Sequence, residues 1–226
     1  KAAASIVKRE NTRVSKLIDI NKAARTTCVK PAGTTSLVLG TSSGIHAWHN
    51  DYYIRRLRVG KNEPIYNYLK TNNPDLIEDE YFRPHDTAVI EIPQSAPKGS
   101  ILRTESAFDL LKRVKKVATE WVKPGHRIGS NTHNVSATIS LKAGEWDKAG
   151  KWMWDNRDCY NGLSVLPYDG GTYTQAPFED ITEKEFNRRV KSLNDVDLSN
   201  IVEATDETDL SGELACAGGS CEITGL

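Results

Sequence analysis

Long apolar runs are absent from this sequence of 226 residues, and no stretch approaches the roughly 18 apolar residues that a membrane-spanning helix needs. No signal peptide is visible, and neither an internal repeat nor a low-complexity run occurs. These absences predict a soluble, cytoplasmic protein with no membrane partner. The length is sufficient for a sizeable core and allows one or two domains.

Methionine is almost absent as well, because Met153 is its single occurrence and the chain starts at Lys1. The opening residues already have a helical pattern, with no start signal before them. We therefore expect the chain to be part of a longer polypeptide. An omitted start residue or a trimmed terminus is the alternative.

Positive charge is missing from the end of the chain, which has no Lys or Arg after Lys191. The last part carries eight acids, which are Asp195, Asp197, Glu203, Asp206, Glu207, Asp209, Glu213 and Glu222. Residues 1–194 hold all 30 basic residues and the other 22 acids, so this body has a net charge of +8. A basic body suits an anionic ligand. An acidic end with few large apolar residues predicts a flexible tail over 195–226.

Several catalytic signatures are also missing. The sequence has no Ser-His-Asp pattern and no nucleotide fingerprint of the Rossmann or Walker type, and its five histidines lack metalloprotease spacing. His46 and His49 stand three residues apart, a spacing that suits a metal site on a helix, but we favour the polar lining of a ligand pocket. The basic segment Arg55–Arg58 is short, so it indicates a strand edge near an anionic ligand and no nucleic-acid polymer as partner.

Four cysteines fall into two kinds. Cys28 and Cys159 are predicted to be buried and inert. Cys216 and Cys221 flank a Gly-Gly pair near the C-terminus, where a structural disulfide would hold nothing in place. A zinc site would need two further ligands, and the tail has no other Cys and no His. The pair therefore favours thiol–disulfide exchange, with an incidental pair of thiols as the alternative.

Hydrophobic periodicity predicts alternating helices and strands. The predicted helices cover 3–24, 64–70, 104 or 106–122, 145–155 and 182–193, and the predicted strands cover 25–30, 52–59, 88–92, 134–141 and 163–166. Thr182 followed by Glu185 reads as a capping box, and Pro93 is expected to end its strand. This alternation predicts an α/β fold with parallel strands.

The most informative stretch follows the predicted strand over 25–30. Pro31 ends that strand, Gly33 allows close approach to a ligand, and Thr34, Thr35 and Ser36 supply hydroxyl groups before an apolar segment. A strand, a tight turn and a helix start together predict an anion site, with phosphate as the natural ligand. An ordinary strand-to-helix turn is the alternative.

These motifs, taken together and in order, resemble the C-terminal half of the catalytic chain of ribonucleotide reductases. The segments that carry the resemblance are Thr27–Leu37, Ser43–His46, Tyr53–Arg56, Asn134–Thr138, Gln175–Glu179 and the pair Cys216 and Cys221. The adenosylcobalamin-dependent (class II) branch is the most similar. Ala32 stands where many relatives have Ser, which removes one side-chain contact to phosphate but keeps the backbone N–H donors.

The resemblance implies a ten-stranded α/β barrel, of which residues 1–194 would form the C-terminal half. It implies that Ala32, Gly33, Thr34, Thr35 and Ser36 bind the phosphates of a ribonucleotide whose 2′-hydroxyl is replaced by hydrogen through thiyl-radical chemistry. Cys216 and Cys221 would reduce the active-site disulfide and then be reduced by thioredoxin or a similar dithiol donor.

The resemblance further implies adenosylcobalamin as cofactor, near the stretches Asn50 to Leu111 and Gly170 to Asp209. The radical cysteine and its partners belong to the upstream half of such a reductase, so this chain alone is expected to be inactive. Two alternatives remain. One is a fragment of the diiron-dependent (class I) large subunit, although adjacent late tyrosines are missing, and the other is a non-catalytic phosphate-binding or redox module.

Overall fold

The computed structural model describes residues 1–168, 170 and 173–201. They form two compact units, of which the first contains Lys1–Ala47 and Arg103–Tyr168. The second contains Trp48–Leu102 and the described residues after Tyr168. The predicted tail pair, Cys216 and Cys221, lies outside the described residues.

The regular elements are as follows. The helices are α1 (Ala2–Leu17), α2 (Gly33–Val38), α3 (Pro64–Asn72), α4 (Ala107–Val117), α5 (Trp146–Asp155) and α6 (Glu183–Ser192). The strands are β1 (Tyr52–Gly60), β2 (Ile77–Asp79), β3 (Thr87–Ser95), β4 (Thr138–Leu141), β5 (Ser164–Pro167) and β6 (Phe178–Asp180).

The first unit is built around α4. Ser106 caps this helix by accepting a hydrogen bond from the backbone N–H of Asp109. Apolar residues at helical spacing then bury one face of α4 in the same core as the inward side chains of β4. The fully buried members of this core include Leu111, Val114, Val135, Ile139 and Leu141. β4 pairs in parallel with β5, from Thr138 opposite Ser164 to Leu141 opposite Pro167.

The second unit is a four-stranded antiparallel sheet in the order β2-β3-β1-β6. β1 and β3 are nine residues each and pair along their whole lengths, from Tyr52 opposite Ser95 to Gly60 opposite Thr87. A separate core covers part of this sheet, and its buried members are Val59, Tyr66, Leu69, Leu76, Ala88 and Ile90. The sheet therefore holds distant parts of the sequence in a fixed register.

Several predicted elements need correction. The strand over 25–30 is not formed, because this segment makes only isolated bridges at Arg25 and Val29. α1 ends at Leu17 rather than residue 24, since Asp19 has a positive φ of 51° that turns the chain. β3 runs through Pro93, which β2 does not cover because β2 pairs only with residues 88–90. The strand over 134–141 is confined to β4.

The mixed α/β class is confirmed, but the expected parallel arrangement holds only for β4 and β5. Every strand pair of the larger sheet is antiparallel, although α3 lies between β1 and β2 in the chain and packs in the core against this sheet. No helix among the described residues has the length and apolar character to cross a membrane.

Candidate functional site

The predicted phosphate loop opens α2. The first intrahelical bond runs from the backbone N–H of Ser36 to the carbonyl of Ala32, at 3.2 Å. The N–H groups of Gly33, Thr34 and Thr35 therefore come before the hydrogen-bonded ladder of the helix. Ser36 is buried, and its hydroxyl donates to the carbonyl of Gly33 at 3.1 Å. The loop can offer backbone donors to an anion, whereas the Ser36 hydroxyl stabilises the turn itself.

Two backbone bonds fix the segment that leads into this loop. Val29 N–H donates to the carbonyl of Asn134, and Ser136 N–H donates to the carbonyl of Val29, at 3.3 and 2.9 Å. Next to them, the Lys30 ammonium donates to the Ser136 hydroxyl at 3.0 Å. The predicted motif segments 27–37 and 134–138 are therefore neighbours, and a positive charge lies close to the start of the loop.

A second turn, over residues 43–46, packs against the loop and the residues before it. The backbone N–H of Ala32 donates to the Ser43 hydroxyl at 3.2 Å, so this donor is already engaged. Gly44 has a φ of +61°, and a Cβ there would lie 2.8 Å from the carbonyl oxygen of Lys30. Only glycine permits both this backbone conformation and this close approach. The segment 43–46 is thus packed directly on the chain that precedes the loop.

The two histidines that stand three apart have different surroundings. Both ring nitrogens of His46 make hydrogen bonds within the first unit, to the carbonyl of Ser43 and the N–H of Thr138. His49 belongs to the second unit, where its Nε2 lies 2.9 Å from Asp180 Oδ1. Within the described part of the chain, no group of three or more His, Cys, Asp or Glu side chains could hold a metal ion.

The two described cysteines also differ. Cys159 is buried, and burial raises the pKa of its thiol, which agrees with an inert role. Cys28 is exposed, so the prediction that it is buried is wrong. The preceding residue, Thr27, is buried, and the backbone carbonyl of Cys28 accepts a hydrogen bond from the Trp121 indole at 3.1 Å.

In the second unit, β6 brings the two stretches predicted for cobalamin together. Tyr53 pairs with Asp180 and Arg55 pairs with Phe178 across the β1–β6 ladder. The chain before β6 is held by the Gln175 side chain, which accepts a hydrogen bond from the N–H of Tyr81 at 2.9 Å. Residues about 95 to 125 positions apart in sequence thus form one surface of this unit.

A buried charge network holds the same region. The guanidinium of Arg56 is 10% exposed and contacts both Glu91, at 2.6 Å, and Glu179. Glu91 also accepts from Arg189 of α6 at 3.0 Å. Burial alone would lower the pKa of Arg56, but its hydrogen bonds to Glu179 and Glu91 outweigh this effect and raise the pKa. Arg56, one of the basic residues predicted at a strand edge, is therefore paired with carboxylates of the same unit.

The neighbouring Arg55 lies against an aromatic ring. Its guanidinium lies 5.4 Å from the ring centroid of Phe178, and the same ring stacks on His49 at 5.1 Å. Arg55 is buried, and burial lowers the pKa of its guanidinium below the ordinary value. This cation–π contact fixes the start of β6 against β1.

An exposed aromatic pair lies at the end of β2. The rings of Tyr81 and Phe82 are 65% and 78% exposed and meet edge to face at 5.1 Å. The backbone under them is fixed, because the Glu80 carboxylate accepts from the N–H groups of Phe82 and Arg83 at 2.8 and 2.7 Å. These two rings are thus exposed to solvent on a well-anchored turn.

Curated relatives match almost the whole chain. The adenosylcobalamin-dependent ribonucleoside-triphosphate reductase of Lactobacillus acidophilus is 27% identical over 212 residues, which cover 92% of this chain. A protein of the same name from Euglena gracilis is 26% identical and covers 96% of it. The resemblance to ribonucleotide reductases is confirmed. No family model matches the chain.

A solved structure agrees in fold with these reductases. The crystal structure of a B-12 dependent (class II) ribonucleotide reductase superposes with a TM-score of 0.68 over 85% of this chain, at 24% identity. The chain spans about 28% of the length of the Lactobacillus acidophilus reductase and 27% of the reductase in the crystal structure. The chain is therefore similar over most of its length to one part of these longer reductases.

The sequence analysis missed the residues that support this reductase-like loop and surface. In the sequence, Ser43 and Gln175 are only members of motif segments, although their side chains bond to the backbone of Ala32 and Tyr81. Glu91 lies opposite Arg56 in the β1–β3 register. That register is set by long-range strand pairing, which the local sequence does not specify.

Proposed function

We propose that this chain is the C-terminal part of an adenosylcobalamin-dependent ribonucleotide reductase. Such an enzyme replaces the 2′-hydroxyl of a ribonucleotide by hydrogen through thiyl-radical chemistry. The observation that carries the proposal is the match of reductases with this name to 92% and 96% of the chain. The same matches favour the class II branch over a fragment of the diiron-dependent class I subunit.

In this proposal the loop at the start of α2 binds the phosphates of the substrate. Gly33, Thr34 and Thr35 have backbone N–H groups ahead of the first intrahelical bond, and Lys30 adds a positive charge beside them. Ala32 has a supporting role, because its N–H already donates to Ser43. The Ser36 hydroxyl shapes the turn through its bond to Gly33.

The second unit would hold adenosylcobalamin, and its residues fit that ligand. Tyr81 and Phe82 lie within the stretch Asn50 to Leu111 and expose apolar ring surface on an anchored turn, which suits contact with a large, partly apolar macrocycle. The cobalt of a corrin arrives with its own nitrogen ligands, so a protein cluster of metal ligands is not required. When bound, the cofactor supplies the one-electron oxidising equivalent that generates a thiyl radical on a cysteine.

The tail would supply electrons. Cys216 and Cys221 as a dithiol would attack the active-site disulfide, so that the active site gains two thiols and the tail becomes a disulfide. Thioredoxin or a similar dithiol donor would then reduce the tail disulfide. This cycle needs a reducing compartment, which is consistent with the cytoplasm.

The remaining parts of the reaction would come from the upstream half of the reductase, because the Lactobacillus acidophilus reductase is about 3.3 times as long as this chain (0.92/0.28). In this proposal residues 1–194 form the later half of a ten-stranded barrel and 195–226 form the acidic tail. The upstream half would carry the radical cysteine and the disulfide that the tail reduces.

The role of the tail can be tested with Cys216→Ser in this chain joined to its upstream half. We expect loss of turnover with thioredoxin and retained turnover with a small dithiol that reaches the active site directly. Cys159→Ser is the control, since Cys159 is buried and is expected to support turnover with both reductants. Equal loss with both reductants in Cys216→Ser would contradict the shuttle role.

A further inference from the structure

His46 makes two hydrogen bonds whose directions fix its tautomer. The backbone N–H of Thr138, the first residue of β4, donates to His46 Nε2 at 3.0 Å. A backbone amide can only donate, so Nε2 carries no proton. His46 Nδ1 lies 2.9 Å from the carbonyl oxygen of Ser43, which can only accept. The ring is therefore neutral, with its proton on Nδ1.

These bonds continue into the loop. Ser43, whose carbonyl accepts from His46, also accepts a hydrogen bond with its side-chain hydroxyl, from the N–H of Ala32 at 3.2 Å. A short relay thus runs from the β4 backbone at Thr138, through His46 and Ser43, to the first residue before α2. His46 is half-buried, and its neighbour Ile45 lies in the core of the first unit.

We propose that His46 is a positioning residue for the phosphate loop. By donating to the carbonyl of Ser43, it fixes the position of Ser43 and of the Ala32 N–H that Ser43 accepts, and hence the direction of the N–H groups of Gly33, Thr34 and Thr35. Both ring nitrogens are used within the protein, so His46 acts through the loop and does not itself contact the substrate. This inference deepens the proposed function, and rests on it for the identity of the anion.

Histidine suits this position because one ring both accepts and donates across a fixed distance. Substitutions of His46 can retain one of its two hydrogen bonds and remove the other. His46→Asn can retain a donor near the place of Nδ1, toward Ser43, and loses the acceptor for Thr138. His46→Gln can reach Thr138 with its amide oxygen and loses the short donor to Ser43. His46→Phe removes both.

The test is a titration of the 226-residue chain with inorganic triphosphate, followed at the amide resonances of Gly33, Thr34 and Thr35. We expect His46→Gln and His46→Phe to bind about tenfold more weakly, the scale of one lost buried hydrogen bond. His46→Asn should stay within about twofold of the parent chain, because the bond to Ser43 is the one that reaches the loop. His85→Asn is the control, since that side chain is 77% exposed and lies in the second unit.

A merely structural role would reduce folding stability in all three variants and weaken binding equally. Equal weakening, or no weakening in any of them, would overturn the proposal, as would ¹⁵N resonances of His46 that show a proton on Nε2. If the parent chain binds no triphosphate, the phosphate-binding role of the loop fails. The positioning role is then decided by hydrogen exchange at the Ala32 amide, which should accelerate in His46→Gln and His46→Phe but not in His46→Asn. Equal rates would refute it.

Discussion

At the scale of single residues, a comparison of two glycines with the same backbone conformation distinguishes the cost of a left-handed backbone from the cost of a steric clash. Gly40 and Gly44 have φ values of +60° and +61°. A Cβ on Gly40 would meet nothing within 4 Å, whereas one on Gly44 would lie 2.8 Å from the Lys30 carbonyl oxygen. The difference between their alanine variants therefore measures how tightly the turn at 43–46 is packed on the loop.

We expect Gly40→Ala to lower the free energy of unfolding by about 1 kcal/mol, the cost of a left-handed alanine. Gly44→Ala should lower it by roughly 2–4 kcal/mol, because displacement of the Lys30 backbone adds an overpacking cost. Chemical denaturation of both variants checks the prediction. Equal losses would mean that the Lys30 backbone moves away from the new Cβ without a cost in free energy, and that the close packing at Gly44 does not contribute to stability.

Arg56 is the residue on which the charge network of the second unit depends. Its guanidinium contacts Glu91 and Glu179 and also donates to the carbonyl of Ala176 at 3.1 Å. Lysine cannot make this fork of bonds, so Arg56→Lys should cost about 2–3 kcal/mol of stability and loosen β6.

The matched control is Arg58→Lys, because Arg58 is on the same strand and has a single, longer contact of 3.4 Å to Glu80. That variant should lose less than about 1 kcal/mol, because the contact is long and the Arg58 side chain is 35% exposed. Thermal unfolding and amide exchange at Phe178–Asp180 report the two effects. If Arg58→Lys lowers stability as much as Arg56→Lys does, the buried ion pairs of Arg56 do not stabilise the unit more than an ordinary ion pair.

At the scale of elements, helices were predictable and strand partners were not. Ser106, one of the two predicted starts of α4, caps that helix, and the predicted Thr182 cap of α6 is confirmed, each side chain accepting from the N–H three positions on. β3, in contrast, passes through Pro93 because its partner β2 is too short to need that N–H. Residues 25–30 have β-branched side chains but no continuous partner strand, so their local propensity does not produce a strand.

The stability of α6 should depend on pH through Glu185, whose carboxylate pairs with Arg188 and Arg189 of the same helix. Hydrogen bonds from Arg188 and Arg189 lower the pKa of this carboxyl from 4.5 to about 2. A lowered pKa in the folded state stabilises the fold above pH 4.5, and this contribution is lost as the pH falls from about 4.5 to about 2. Amide exchange in α6 and global stability should therefore change in this window.

Glu185→Gln isolates this effect from the other carboxyl groups. The stability difference between the parent chain and this variant should be constant above pH 4.5 and shrink toward zero as the pH approaches 2. A difference that does not change with pH would show that the ion pairs at Glu185 do not stabilise the folded state.

At the scale of the whole molecule, the sequence predicted the family and the loop but not what surrounds them. The loop motif is local, so a helix start near it could be predicted, but α2 begins at Gly33 and contains Thr34, Thr35 and Ser36, which the sequence placed in a turn before the helix. Ser43, Gln175 and Glu91 gain their roles from partners 11 to 94 positions away, which composition and periodicity do not specify. The antiparallel sheet follows from the same long-range pairing.

The aromatic pair gives a prediction for cofactor binding by the complete reductase. Phe82→Ala should weaken adenosylcobalamin binding by roughly tenfold, because an exposed ring on an anchored turn is lost from the proposed contact. Stability should be nearly unchanged, since the ring is 78% exposed. Trp154→Ala, which removes an exposed ring from the first unit, is the control, and equilibrium dialysis measures both. Unchanged affinity in Phe82→Ala would place the cofactor elsewhere.

The central claim is tested most directly by anaerobic turnover of a ribonucleotide by this chain joined to its upstream half, with thioredoxin present. We predict that deoxyribonucleotide forms when adenosylcobalamin is added and does not form without it. Product formed only with a diiron radical subunit would keep the reductase family and contradict the cobalamin-dependent branch. No product under either condition would contradict the account and favour a non-catalytic binding module.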